Sequence, residues 1–184
     1  MKTFFNVAAA SIIVAFATVN AQASEVKPYV GIGLGTFTTD FGSGLKTSST
    51  FGGFLKGGAD FNPYIGAELR IGGIKSSTVS NTGGVSSKVS FISYLIKPQF
   101  PIAEQASIYG LIGATTAKVT VTGGGNPSTS QTKTQVSFGA GFEYKIQDAI
   151  SIGAEYVQYS NKADSSQNFK AKIRGISATA NYHF

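Results

Sequence analysis

From Val26 onward, apolar and polar positions alternate with a period of two, the pattern of strands with one apolar face. Val136 to Ile146 shows it most clearly. Val136, Phe138, Ala140, Phe142, Tyr144 and Ile146 fall on one face, and Ser137, Gly139, Gly141, Glu143 and Lys145 on the other. No helix could segregate them in this way. Ile65, Ala67, Leu69 and Ile71 repeat the pattern against Tyr64, Gly66, Glu68, Arg70 and Gly72, and Ile150 to Tyr156 does the same. In the last stretch Ile176, Ala178, Ala180, Tyr182 and Phe184 lie opposite Gly175, Ser177, Thr179, Asn181 and His183. The pattern predicts eight strands, at about 26–38, 50–61, 64–75, 88–100, 107–120, 134–146, 150–160 and 169–184. Alternation is blurred in Lys88–Phe100. Placing Ile92, Tyr94 and Ile96 outward there turns Lys97 inward.

These strands are longer than the usual five or six residues and sufficient to cross a bilayer at a tilt. Their connectors also alternate. Phe41–Ser49, Ser76–Ser87, Val121–Lys133 and Asn161–Asn168 are long and polar, whereas Asn62–Pro63, Pro101–Ala106 and Gln147–Ala149 are short. Long connectors at one end and tight turns at the other predict an all-β, eight-stranded antiparallel up-and-down transmembrane β-barrel. A soluble sandwich would bury the same apolar faces. Against it stand the Tyr and Phe residues near the strand ends (Phe61, Phe100, Tyr109, Tyr144, Tyr182, Phe184), as in an interfacial aromatic girdle. Four mobile loops are expected at the long-connector end.

Composition narrows the chemistry. The 184 residues include no Cys, no Trp and a single His, with 42% hydrophobic and 13% charged positions. Disulfide scaffolds, thiol nucleophiles and His-rich metal sites are thereby excluded. Lys2 followed by the apolar run Val7–Val19 and Ala21-Gln22-Ala23 reads as a secretory signal peptide over 1–23, leaving a barrel domain over 24–184. Removing that leader takes one Lys from the formal net charge of +6.

The C-terminal alternation Ile176, Ala178, Ala180, Tyr182, Phe184 and the opening Tyr29-Val-Gly-Ile-Gly-Leu-Gly35 resemble the small eight-stranded outer-membrane barrels, the OmpX, opacity-protein and OmpA membrane-domain group. The resemblance implies that the aromatic-ended last strand is read by the barrel-assembly machinery. It also implies a non-catalytic role in membrane integrity and in surface interaction or adhesion through extracellular loops, with periplasmic termini. It does not extend to the peptidoglycan-binding domain of OmpA, because the chain ends with the barrel.

Charge placement tests the barrel. Lys56, Glu68, Arg70, Lys97, Glu143, Lys145 and Glu155 have interior parity, and their near-neutral sum predicts a plug of ion pairs and hydrogen bonds. Most remaining cations fall in or beside the long connectors. Among them Lys170, Lys172 and Arg174 are candidate contacts for lipopolysaccharide phosphates. Gly31-Ile32-Gly33-Leu34-Gly35 precedes no helix and reads as a strand whose inner face leaves room for large groups opposite. His183, near the end, has no serine and acid at a spacing that assembles a catalytic triad. No cofactor, no metal site and no nucleic-acid partner is read from the chain, which is expected to be a monomer in contact with outer-membrane lipid. Host or other extracellular ligands would meet the loops, and the competing reading is a narrow channel for ions or small solutes.

Overall fold

The computed structural model describes residues 26–40, 48–78, 86–123, 126–160 and 172–184. Residues 1–25, which include the predicted leader, and most of the long connectors lie outside these residues. Eight strands run β1 (Lys27–Asp40), β2 (Ser48–Asn62), β3 (Ile65–Thr78), β4 (Ser86–Pro101), β5 (Ala106–Gly123), β6 (Asn126–Gln147), β7 (Ile150–Ser160) and β8 (Lys172–His183). Each pairs antiparallel with its sequence neighbours, and β8 returns to β1, closing the barrel.

Register fixes how the wall is staggered. Partners followed once around from Pro28 pass Ala59, Ala67, Ile96, Ile112, Phe138, Gln158 and Arg174, and reach Thr38, ten residues farther along β1. Closure with that stagger requires strongly tilted strands, at about 35–45° to the axis. The short turns use local chemistry. The Asn62 side-chain oxygen accepts from the amides of Tyr64 (2.8 Å) and Ile65 (3.0 Å), closing the turn around Pro63.

The predicted loop Val121–Lys133 is mostly strand. β5 and β6 continue past β7 as a ribbon, paired from Val119–Gln131 to Val121–Thr129 and again at Gly123–Asn126, with β4 alongside β5 as far as the Ser86–Thr122 pair. Hydroxyl pairs line its outward face, Thr116–Thr134 at 2.8 Å and Thr120–Ser130 at 3.1 Å. Both faces of the ribbon carry polar residues, so alternation is lost, but its Thr and Val residues suit a strand.

Outward positions form the apolar belt, including Leu34, Leu55, Ile96, Ile112, Phe142 and Ile176. Ile92, Tyr94 and Ile96 face outward and Lys97 inward, as the blurred segment predicts. Tyr109 does not join the girdle. It faces inward and is buried, because odd positions of β5 point into the lumen.

The interior is divided. The half nearer the short turns holds the charged residues, and the half nearer the long connectors holds an apolar cluster absent from the sequence expectation: Phe37, Phe54, Phe91, Tyr159, Val157 and Ile173 among others. Phe91 is its hub, 5.0 Å from Tyr159, 6.2 Å from Phe37 and 6.5 Å from Phe54 between ring centroids. Glycine walls make room for these rings. A Cβ on Gly33 would lie 2.2 Å from Phe54 Cζ, on Gly58 2.5 Å from Tyr29 Cζ, and on Gly141 2.4 Å from Tyr109 Cζ. Gly33→Val should therefore displace the Phe54 ring and cost about 1–3 kcal/mol. Gly73→Ala, whose nearest neighbour would be Val89 O at 3.3 Å, should be milder. Urea midpoints of the two variants refolded in detergent micelles check the difference.

Candidate functional site

Arg70 lies at the centre of the charged half, fully buried. Its two terminal nitrogens grip both oxygens of Glu155 across the lumen, at 2.5 and 2.8 Å, and its Nε donates to Glu68. A third partner is the Tyr159 hydroxyl, 3.3 Å away. The planar guanidinium also lies 4.6 Å from the Phe54 ring centroid, joining the ionic and aromatic halves.

The two carboxylates are supplied from the other walls. Glu68 accepts from Tyr29 Oη at 2.8 Å and pairs with Lys56 at 3.4 Å, while Glu155 accepts from Tyr109 Oη at 3.0 Å and Ser177 Oγ at 3.2 Å. Nearer the short turns, Lys97 Nζ sits between Asp60 (3.2 Å) and Glu143 (3.4 Å), over the Tyr29 ring at 4.6 Å. All eight strands contribute a side chain to this continuous assembly. Such saturation is what buried ions require, since an isolated one is costly to desolvate.

Six of the seven predicted interior residues meet here: Lys56, Glu68, Arg70, Lys97, Glu143 and Glu155. Lys145 does not. It has inward parity but stands exposed at the mouth, because it lies only two residues from the end of β6. Asp60 and His183 join in its place, together with the phenols of Tyr29, Tyr109 and Tyr159. Their inward parity was available, but parity does not reveal depth.

The structure also assembles a serine, a histidine and an acid that sequence spacing did not join. Ser151 Oγ lies 2.7 Å from Glu143 Oε1 and 3.0 Å from His183 Nε2, which is itself 3.2 Å from Glu143 Oε1. This is not a catalytic relay. Serine and acid share one imidazole nitrogen, whereas a relay needs the acid on the other. Ser151 gives its proton to Glu143 and accepts from Asn181 Nδ2 at 3.0 Å, so Nε2 serves it as a donor and not as a base. Ser151 is moreover fully buried.

Below this layer opens a vestibule of about 390 Å³, lined by Lys27, Asp60, Gln99, Glu104, Lys145 and His183 among others. Its inner end is closed by the ionic layer. Among the described residues no group of three or more acidic or histidine side chains is placed to hold a metal.

The last strand presents Ile176, Ala178, Ala180, Tyr182 and Phe184 outward, with Tyr182 and Phe184 in edge contact at 5.2 Å. Phe184 N donates to Pro28 O at 3.0 Å, fastening the end of the chain to β1. Lys172 and Arg174 continue the same outward face beyond the belt, and Lys170 lies outside the described residues.

Residues 7–184 match the family model of the outer membrane protein beta-barrel domain. The chain belongs to that family. Among solved outer-membrane barrels, Ail of Yersinia pestis aligns at 25% identity and TM-score 0.65, over 87% of this chain and 99% of Ail. Ail has also been solved in complex with the heparin analogue sucrose octasulfate. Neisserial surface protein A aligns at 16% identity and TM-score 0.70, over 85% of this chain and 97% of its own. The N-terminal barrel domain of Pseudomonas aeruginosa OprF aligns at 11% identity and TM-score 0.59, over 84% and 97% respectively. Sequence comparison with the curated proteins gives no match. This is a bacterial outer-membrane β-barrel with an ionic and an aromatic layer stacked in its lumen.

Proposed function

We propose that this chain is a non-catalytic, non-conducting outer-membrane barrel that strengthens the membrane and presents a contact surface outside the cell. Residues 1–23 would direct export and be removed. Residues 24–184 would insert as a monomer, with the termini and short turns periplasmic and the long connectors extracellular. The outward Tyr182 and Phe184 would serve as the signal to the assembly machinery.

The observation that carries this reading is the filled lumen. A conducting path must pass both the Arg70–Glu68–Glu155 contacts and the Phe37–Phe54–Phe91–Tyr159 rings. Neither layer needs the other to remain closed. The β5–β6 ribbon supports the contact role, since among the described residues β6 has no β7 partner before Phe138. A strand paired on one side presents backbone donors and acceptors to an external ligand.

The protein reconstituted in planar bilayers should show no stable open channels at moderate voltage. Reproducible unitary steps from the wild-type chain would favour the competing channel reading.

A further inference from the structure

Pro98 is out of place in β4. A proline has no N–H to give to a ladder, so within sheets it is confined to edges and bulges, and a closed barrel has no edge. β4 is paired on both sides, with Ile65 of β3 standing opposite Pro98. The next residue, Gln99, donates its amide to Tyr64 O, at the start of β3, at 2.8 Å. Successive residues of an antiparallel strand turn their backbone groups to opposite neighbours, so Pro98 turns to β5 and to Gly110. The β4–β5 ladder is broken there, with pairs at Ile96–Ile112 and Gln99–Tyr109 and none between them. The Gly110 carbonyl therefore lacks the donor that any other residue in place of Pro98 would supply.

The break opens onto the lipid side of the wall. Pro98 and Gly110 have the outward parity of Ile96 and Ile112, and Ala140 pairs with Gly110 from β6. These three line a groove of about 710 Å³, flanked by the exposed Phe100 and Ile108. That volume is within the range of sites that take one small ligand, about 300–1,000 Å³. A Cβ on Gly110 would meet nothing nearer than Pro98 Cγ at 3.3 Å, so no neighbouring ring fills the space over this glycine, unlike Gly33 and Gly141.

Depth selects the occupant. Phe100 and Ile108 are register partners, and Gly110 lies two residues farther from the short turn. At roughly 3.3 Å per residue and a tilt of about 40°, two residues rise about 5 Å. The carbonyl thus sits just inside the hydrocarbon from the aromatic Phe100. Water and headgroup donors stop short of it, and an unanswered carbonyl within hydrocarbon is costly. A plain acyl chain fills the groove but brings no donor. A chain with a hydroxyl a few carbons from its head brings one to this depth.

Resting on the membrane reading above, we propose that the Pro98–Gly110–Ala140 groove binds a membrane lipid of the leaflet at the short-turn end through a hydroxylated acyl chain, whose hydroxyl donates to Gly110 O. The apolar walls hold the chain as a continuation of the lipid belt. Selectivity comes from the one hydrogen bond that Pro98 leaves open.

The test uses the full barrel, ¹³C- and ¹⁵N-labelled and folded in maltoside micelles. Methyl β-hydroxymyristate, methyl myristate and free β-hydroxymyristate are titrated separately. The Gly110 carbonyl carbon and the Leu111 amide nitrogen, which share one peptide unit, are followed. The hydroxylated ester should shift both and bind about three- to tenfold tighter than the plain ester, as one hydrogen bond allows. Pro98→Ala supplies the missing N–H and should make the two esters bind equally. Gly110→Val fills the groove and should weaken both. Equal binding of the esters by the wild-type chain would mean acyl packing alone, and a response to the free acid only would mean a fatty-acid site. A doubled mass by light scattering that Gly110→Val reverses would put a second copy over the groove. Any of these, a preference that survives Pro98→Ala, or no response overturns the proposal. Gel mobility with and without heating reports folding of each variant. A wild-type chain that neither folds in micelles nor inserts into vesicles refutes the membrane reading itself, whereas one that inserts but does not discriminate between the esters refutes only this site.

Discussion

Arg70→Met should destabilise the folded barrel by about 3–5 kcal/mol, the cost of leaving charges buried without their partner. Glu68 and Glu155 both lean on this one guanidinium, and neither has water to turn to. Lys56 remains beside Glu68 at 3.4 Å, but among the described residues Glu155 keeps only the neutral donors Tyr109 and Ser177. Urea unfolding in neutral micelles, followed by the heat-dependent gel shift of the barrel, measures the loss. Arg70→Lys should recover only part of it, because an ammonium cannot span Glu68 and both oxygens of Glu155. The decisive comparison is Glu68→Gln, Arg70→Met and Glu155→Gln together. Removing all three charges should restore much of the stability that removing one destroys. A loss below about 1 kcal/mol for Arg70→Met would show that solvent reaches the network.

Phe91→Ala should cost a similar amount, about 3–5 kcal/mol, for a different reason. Its ring contacts Phe37, Phe54 and Tyr159, so truncation leaves a cavity whose other walls are fixed by the barrel. The same urea titration measures it. Conductance should nevertheless remain absent, because the Arg70 layer lies farther down the lumen and closes it independently. Channels should appear only when Phe91→Ala is combined with Arg70→Ala, provided that the double variant still gives the gel shift of a folded barrel. Steps in the single Phe91→Ala variant would show that the ionic layer is permeable.

Much of the fold is legible because a barrel repeats one rule. Period two says which side of the wall each residue faces, and for Glu68, Arg70, Lys97 and Glu155 this side is enough to put them in the lumen. It says nothing about height. Lys145 and Glu143 have the same parity, yet Glu143 is buried and Lys145 stands exposed at the mouth. Nor does parity say which residues meet across the lumen. Arg70 and Glu155 are 85 residues apart, and the stagger of the wall brings them level. The aromatic layer was concealed for another reason. Phe37, Phe54, Phe91 and Tyr159 lie on inward faces otherwise occupied by Gly, Ser and charged residues, so in sequence they resemble lapses in the alternation. The β5–β6 ribbon lacks the signal altogether, because beyond the belt neither face needs to be apolar.

The lumen contacts also have a mechanical consequence. A ring of strands joined only edge to edge can flatten into an oval at little cost, since each ladder acts as a hinge. Here Arg70 and Glu155 tie β3 to β7, Tyr109 ties β5 to β7, and Lys97 and Glu143 tie β4 to β6. These ties act as spokes, so squeezing the barrel along one diameter must stretch contacts along another. Lateral pressure from the bilayer then meets a braced cylinder that keeps its round section.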